Sequence, residues 1–430
     1  MANTYISRTQ ANGTSSQKFT VSCWVKRSGL TSTQAIWGSG SATNDGCDLA
    51  MTGTDELTFE SWDGSNNPKI ITTRKFRDSS AWYHIVLAVD TTQATDTNRV
   101  KIYVNGVQET VFGTANYPSQ NYNLAVSTTN DVMKFGVGGQ YATSYWDGSM
   151  SHVHFVDGLQ YAASDFGSTD STTGEWTINT SPSVTYGTNG CFLLKDGNTI
   201  TDSSSNSNNF ALAQGTLTST EDCPDNNFAT NNPICNVAGR WTITNGNNTI
   251  QHANGGSWTA MISSIAPSVG KYYMEAKITA GASRTMFGVM SADTNIMSYA
   301  TNLDSICLYY NLSGGEFQQS GGTTSGNNYG TFADNDIAGI ALDCTNKYIS
   351  IYKNGSALVT NHTIPTTVTG PIGFGFTSDS NSTVYQCNYG NGYFGTTEIS
   401  SAGTNASGIG RFEYDVPTGY TALSTKGLNL

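Results

Sequence analysis

Two glutamates in the segment Asp55-Glu56-Leu57-Thr58-Phe59-Glu60 are the first residues whose type and spacing suggest chemistry, since paired carboxylates act as acid and base in glycoside hydrolysis. On an extended strand Glu56 and Glu60 share one face, about 13 Å apart at ~3.3 Å per residue. That separation exceeds the roughly 5.5 Å of a retaining pair and the roughly 9.5 Å upper bound of an inverting pair. The segment therefore reads as an ordinary solvent-facing strand. His152 and His154 flank Val153, so both imidazoles project from one strand face and could seed a metal site. No third ligand is near in sequence, and the plainer reading is two polar residues on an exposed face, with Val153 and Phe155 turned into the core. Serine is abundant enough to leave a Ser-His-Asp triad open, but no Gly-x-Ser-x-Gly elbow marks a nucleophile.

Oxygen ligands for a hard cation occur in Asn44-Asp45-Gly46-Cys47-Asp48, where Asp45 and Asp48 are calcium candidates. Asx residues beside glycine also form turns without any metal. No cofactor is otherwise indicated. Binding chemistry is better represented, by aromatics set among small polar residues: Tyr141, Tyr145, Trp146 and Asp147 in one segment, and Tyr309, Tyr310 and Tyr329 in two others. Sugar faces stack on such rings while Asn and Asp satisfy hydroxyls. The competing reading makes Trp146 and Tyr310 core or protomer contacts.

The elements that must position these residues are strands. Phe19, Val21, Cys23 and Val25 share one strand face, Tyr83, Ile85, Leu87 and Val89 another, and Val100, Ile102 and Val104 a third, while Tyr272, Met274, Ala276 and Ile278 alternate with Lys271, Tyr273, Glu275 and Lys277. Period-two patterning bounded by Gly, Asn and Asp predicts half-buried antiparallel sheets. Asn105-Gly106 and Asn354-Gly355 each follow such a run, and both residue types tolerate the positive φ of a two-residue hairpin. An Asn- and Ser-rich stretch from 196 to 209 precedes Asp222-Cys223-Pro224-Asp225, which predicts two domains, 1–220 and 221–430. The fold class predicted is all-β, two sandwiches in tandem.

Composition narrows the partners. Charged residues make up 12% of the 430-residue chain, with 46 glycines and a net charge of −12; that balance repels a phosphate backbone, so nucleic acid is not expected. No stretch approaches the roughly 18 apolar residues of a membrane helix, and the start of the chain lacks an apolar h-region, which predicts synthesis in a cytoplasm without export or membrane insertion. Eight scattered cysteines form no CxxC or zinc-like quartet. They read mostly as buried free thiols, with Cys223 and Cys235 the pair to test for a disulfide.

The ordered words Phe19-Thr20-Val21-Ser22-Cys23-Trp24-Val25-Lys26-Arg27, Trp82-Tyr83-His84-Ile85-Val86, Lys101-Ile102-Tyr103-Val104-Asn105-Gly106 and Trp146-Asp147-Gly148-Ser149-Met150 resemble the core strands of laminin-G-like, concanavalin A-like jelly rolls. The stretch from Asp165 to Leu194 resembles an extension in marine phage virion proteins carrying that domain. From about residue 224, Gly270-Lys271-Tyr272-Tyr273-Met274-Glu275, Asp336-Ile337-Ala338-Gly339-Ile340-Ala341-Leu342-Asp343 and Tyr348-Ile349-Ser350-Ile351-Tyr352-Lys353-Asn354-Gly355 resemble the SPRY-like module of similar phage proteins. The segment Pro417 to Thr425 resembles their common ending.

The resemblance implies a bacteriophage virion structural protein, of fibre or decoration type on the head or tail surface, made in the host bacterial cytoplasm. It would bind host-surface polysaccharide or adjacent virion proteins and would not be an enzyme; the sheet edges that two sandwiches leave unpaired predict a homo-oligomer, with a trimer among its forms. Two alternatives stand beside it: a purely architectural capsid decoration, and a glycan depolymerase. Against the latter, Thr58 holds the position where laminarinase-type glycosidases of this fold carry an Asp.

Overall fold

The computed structural model describes residues 3–430 apart from 43–44, 66, 140, 237–238, 254, 257, 293–306, 320–321 and 324–326. The chain forms two units, Met1–Ser219 and Thr220–Leu430. Among the described residues the regular structure is strand, with only short 3-10 turns added.

In the first unit an eight-stranded sheet runs, edge to edge, through Phe112–Asn116, Lys69–Lys75, Glu56–Trp62, Asp45–Met51, Gln34–Ala42, Val132–Phe135, Tyr5–Thr9 and Ala211–Gln214. A six-stranded sheet runs through Cys191–Leu193, Gly148–Asp157, Lys18–Arg27, Trp82–Asp90, Val100–Val104 and Val107–Gln108. The expected alternation holds: Phe19, Val21, Cys23, Val25, Ile85, Leu87 and Val89 meet Trp37, Leu49 and Phe59 in one core between the sheets. Burial of that apolar surface, at roughly 25 cal/mol per Å2, is what holds the layers together.

The outer side of the six-stranded sheet is closed by the chain itself. Phe166, Tyr161, Trp176, Val184 and Tyr186 from the segment after the Gly148–Asp157 strand pack over Val86 and Val156. Asp157 anchors this cover: its buried carboxylate accepts from the N–H groups of Thr14 (2.8 Å), Ser15 (3.2 Å) and Asn189 (3.0 Å) and from the Ser127 hydroxyl (2.9 Å). Four segments are tied at one point, and no lone pair is left to bury unpaired.

The second unit repeats the layering. One sheet contains Trp241–Thr244, Thr249–His252, Val384–Asn388, Lys271–Ala280, Ile337–Asp343, Tyr348–Lys353 and Ser356–Thr363, with Thr421–Ala422 added in parallel to Lys271–Ala280. The other contains Thr259–Ile262, Ile372–Ser378, Thr285–Ser291, Cys307–Asn311, Glu316–Gln319 and Gly322–Thr323. Met274, Ile278, Phe287, Ile340 and Phe374 share their core. The C-terminal stretch folds back over the outer side of the first of these sheets, placing Phe412, Val416 and Ala422 on Tyr273 and Ala341. Glu275 fixes it by accepting from the N–H groups of Glu413 (2.8 Å) and Tyr414 (2.9 Å).

Candidate functional site

Several of the sequence candidates of the first unit gather on the outer side of its eight-stranded sheet, where Asp48 and Glu60 are nonetheless buried. Cross-strand register places Lys134 opposite Gly38, Gly38 opposite Asp48, Asp48 opposite Glu60, and Glu60 opposite Lys69. A single row thus crosses five strands carrying two neighbouring carboxylates between two amines. Like charges directly opposite destabilise a sheet unless they are compensated, and here the compensation is visible. Lys69 Nζ lies 2.8 Å from Glu60, which also accepts from Asn67 Nδ2 at 2.9 Å and from the Tyr141 hydroxyl. Asp48 accepts from the backbone N–H groups of Gly139 (2.6 Å) and Tyr141 (3.3 Å).

The gap in the row at Gly38 is filled by main chain. A Cβ there would stand 2.0 Å from the Gly139 nitrogen, so the backbone at Gly138 and Gly139 can lie on the sheet only because residue 38 has no side chain. Burial would raise the Glu60 carboxyl, but Lys69, Tyr141 and Asn67 outweigh it and hold it below its ordinary value. Burial, then Glu60, pushes the Tyr141 phenol upward. Burial lowers the Lys134 ammonium, with Asp48 opposing. The loop is therefore clamped, with the Tyr141 ring half-buried on the sheet.

Several sequence expectations change. Glu60 is not solvent-facing: it is buried in this network. Glu56 does lie on the same outer face, paired with Lys75 Nζ at 2.8 Å and held down to about 2, first by Lys75 and then by the Thr52 and Thr54 hydroxyls. Trp146 belongs to the core between the sheets, not to a binding loop. Tyr145 stays half-buried with its ring 6.1 Å from that of Tyr5. Asp147 is half-buried, its carboxyl raised by burial, and its backbone carbonyl accepts from Ser28 N–H at 2.9 Å.

The segment holding Asp45 and Asp48 is the strand Asp45–Met51 rather than a turn. Residues three apart on a strand face opposite sides, so Asp45 and Asp48 do not converge on a cation; Asn44 lies outside the described residues. No cluster of three His, Cys, Asp or Glu side chains fit for a metal occurs among the described residues.

His152 and His154 are not two exposed imidazoles. The ladder shifts between Ser151 and His154 and His152 takes a φ of 46°, while the covering segment buries His154 against Phe192, 4.0 Å between ring centroids. His152 lies 5.7 Å from the same Phe192 ring, so a phenyl group packs where both imidazoles meet. Val153 and Phe155 do enter the core.

A buried Ser-His contact does exist on that covered side. Ser22 Oγ lies 2.9 Å from His84 Nε2, and Trp176 Nε1 lies 3.0 Å from His84 Nδ1. An indole can only donate, so Nδ1 is the acceptor and the ring proton sits on Nε2, donating to Ser22. Burial pushes His84 down to about 3. The pair is thus a satisfied structural contact, with no base available to the hydroxyl.

In the second unit Leu308-Tyr309-Tyr310-Asn311 is part of a strand, not a loop. Tyr310 is fully buried, its hydroxyl donating to the Gly330 carbonyl at 2.6 Å. Tyr309 is buried against Met290. Only Tyr329 of the three is half-exposed. All eight cysteines are free, so Cys223 and Cys235 are not bridged.

Sequence reasoning passed over Trp62, which is half-exposed at the end of the Glu56–Trp62 strand. It stands on the same side as Glu56, Thr58 and Glu60. A large aromatic on the polar side of an alternating strand was the available signal.

The class these features define is an all-β protein of two sandwiches, the first with a concanavalin A-like fold of laminin G type. Residues 1–163 match the family model described as the Concanavalin A-like lectin/glucanases superfamily. No curated protein sequence matches the chain significantly. Among solved structures, the SPRY domain of human HERC1 is 17% identical over 34% of this chain and 91% of that one, with a TM-score of 0.29. Domain 4 of AbnA, a GH43 extracellular arabinanase from Geobacillus stearothermophilus in complex with arabinotriose, is 21% identical over 35% of this chain and 67% of that one, with a TM-score of 0.28. Domains LG4-5 of the mouse laminin alpha1 chain are 9% identical over 90% of this chain and 84% of that one, with a TM-score of 0.29.

Proposed function

We propose that this chain is a non-enzymatic binding protein of a bacteriophage particle, which uses the half-exposed rings of Trp62 and Tyr141 on the outer side of its eight-stranded sheet to engage host-surface glycans or neighbouring virion proteins. The observation that carries the binding reading is the face itself: Trp62 and Tyr141 lie half-buried on the side that holds the Lys134–Gly38–Asp48–Glu60–Lys69 row. Rings fixed in place cost little entropy on binding, and paired charges beside them supply directed hydrogen bonds. Glu56 and Glu60 are each engaged by a lysine, which leaves neither poised as a general acid. The virion setting rests on the resemblance of the sequence words to phage proteins.

The test is binding of the intact chain to an array of bacterial surface polysaccharides, with Trp62→Ala as the comparison. Retention by the wild type and loss on removal of the indole is expected. Release of reducing sugar from the same polysaccharides, abolished by Glu60→Gln, would replace this reading with a depolymerase. Imaging purified virions with an antibody against the chain tests the setting; absence from the particle would overturn it.

A further inference from the structure

We infer that the second unit carries its own saccharide-binding corner, built from His362 and Tyr329 on a base of Phe317. Phe317 is fully buried in the core of that unit. The imidazole of His362 stacks on it nearly parallel, 4.0 Å between centroids and 13° between planes. Tyr329 stands at 75° to the imidazole, 6.4 Å away, and at 66° to Phe317, 6.1 Å away. The three rings form a floor and a wall. A buried phenyl fixes the floor from beneath, so the floor does not have to be ordered when a ligand arrives.

The chemistry of the corner favours a neutral polyol with one apolar face. His362 and Tyr329 are both half-exposed. Burial lowers His362 from its ordinary value, so near neutral pH the ring offers one donor and one acceptor in its plane, the complement of sugar hydroxyls. The Tyr329 hydroxyl adds another such group and already accepts from Asn327 at 3.4 Å. The sequence around both rings, Thr360 to Thr363 and Asn327 to Tyr329, carries no charge. The nearest charge in sequence, Glu316, is engaged by Asn311 (3.2 Å) and Gln318 (2.9 Å) and would repel an anion. The in-plane nitrogens of His362 and the Tyr329 hydroxyl meet the hydroxyls of a hexose while its C–H face stacks on the imidazole. Of the aromatics flagged in this half of the sequence, Tyr309 and Tyr310 are buried, and the floor is supplied instead by a histidine that no motif marked.

The inference does not rest on Trp62 and Tyr141 of the first unit, and the two separate experimentally. The intact chain is titrated with soluble glucan, mannan and galactan, followed by tryptophan and tyrosine fluorescence and by saturation-transfer NMR. Binding of at least one polymer is expected, weakened about tenfold or more by His362→Ala and by Tyr329→Ala, and by the same factor when either change is made in a Trp62→Ala background, where the first unit no longer contributes. Each variant is checked by its melting temperature. Should His362→Ala not fold, Tyr329→Ala alone decides. Binding to none of the three polymers, binding indifferent to both corner variants, or displacement by choline chloride, which would mark a cation site, overturns the inference.

Discussion

The indole of Trp176 lies on the backbone of Gly106: a Cβ at residue 106 would sit 2.4 Å from Trp176 Cε3, at a φ of +82°. Gly106 is the second residue of the Asn105–Gly106 hairpin, and Asn105 Oδ1 accepts from His84 N–H at 2.7 Å. The covering segment is therefore docked on the turn that the six-stranded sheet makes. In the second unit Asn354 Oδ1 accepts from Ile337 N–H at 2.8 Å, and a Cβ on Gly355 would stand 2.7 Å from the ring of Tyr414. Both sandwiches use an Asn-Gly turn as a seat for an aromatic from downstream.

Gly106→Ala is expected to destabilise the first unit by about 2–3 kcal/mol, since it combines a left-handed backbone with a clash against Trp176. In a Trp176→Ala background the same change should cost only the backbone share, about 1 kcal/mol. Chemical denaturation of the four proteins of the cycle gives the coupling. Additive costs would mean that the indole does not rest on the turn.

Tyr141→Phe removes a donor from the buried Glu60 carboxylate. A loss of about 1–2 kcal/mol is expected, small because Tyr141 is itself half-exposed. The same variant should be cut faster by protease near residues 138–146, because one of the clamps holding the loop on the sheet is gone. An unchanged digestion pattern would show that the backbone bonds to Asp48 suffice.

Glu275 gives the second unit a pH dependence of defined sign. Burial, acting against the N–H groups of Glu413 and Tyr414, pushes its carboxyl up from 4.5 to about 7. Between those values the folded state holds a proton that the unfolded chain has released, so this contribution is complete below the unfolded pKa and is lost as pH rises through the folded one. The melting temperature of the second unit should fall from about pH 5 to about pH 8, and Glu275→Gln should flatten that slope. A stability that rises over this interval in the wild type, and is unaffected by the substitution, would contradict it.

Six cysteines are buried, and Cys223 and Cys235 are half-buried with thiols raised by burial. Thiol titration should count eight groups after denaturation, with these two reacting first and slowly in the native protein. Gel mobility should not respond to reductant. A count of six would restore the bridge.

Much of the architecture was written in local pattern. Alternation in the runs at 19–25, 83–89, 100–104 and 272–278 determined which side chains enter the cores, because a strand has a period of two whatever lies beyond it. The two Asn-Gly turns were legible for the same local reason, the φ that those residues tolerate. What alternation does not encode is what covers the other side of a sheet. His154, read as exposed, is buried because residues far along the chain return over it, and Trp146, Tyr309 and Tyr310 left the binding set because their neighbours come from distant strands. The row from Lys134 to Lys69 joins residues 65 positions apart in sequence; only the pairing register, set by the whole sheet closing on its core, brings them into line. Residue types and strand faces were thus properties of the sequence by itself, whereas which faces are covered, and which charges meet on them, was decided by tertiary packing.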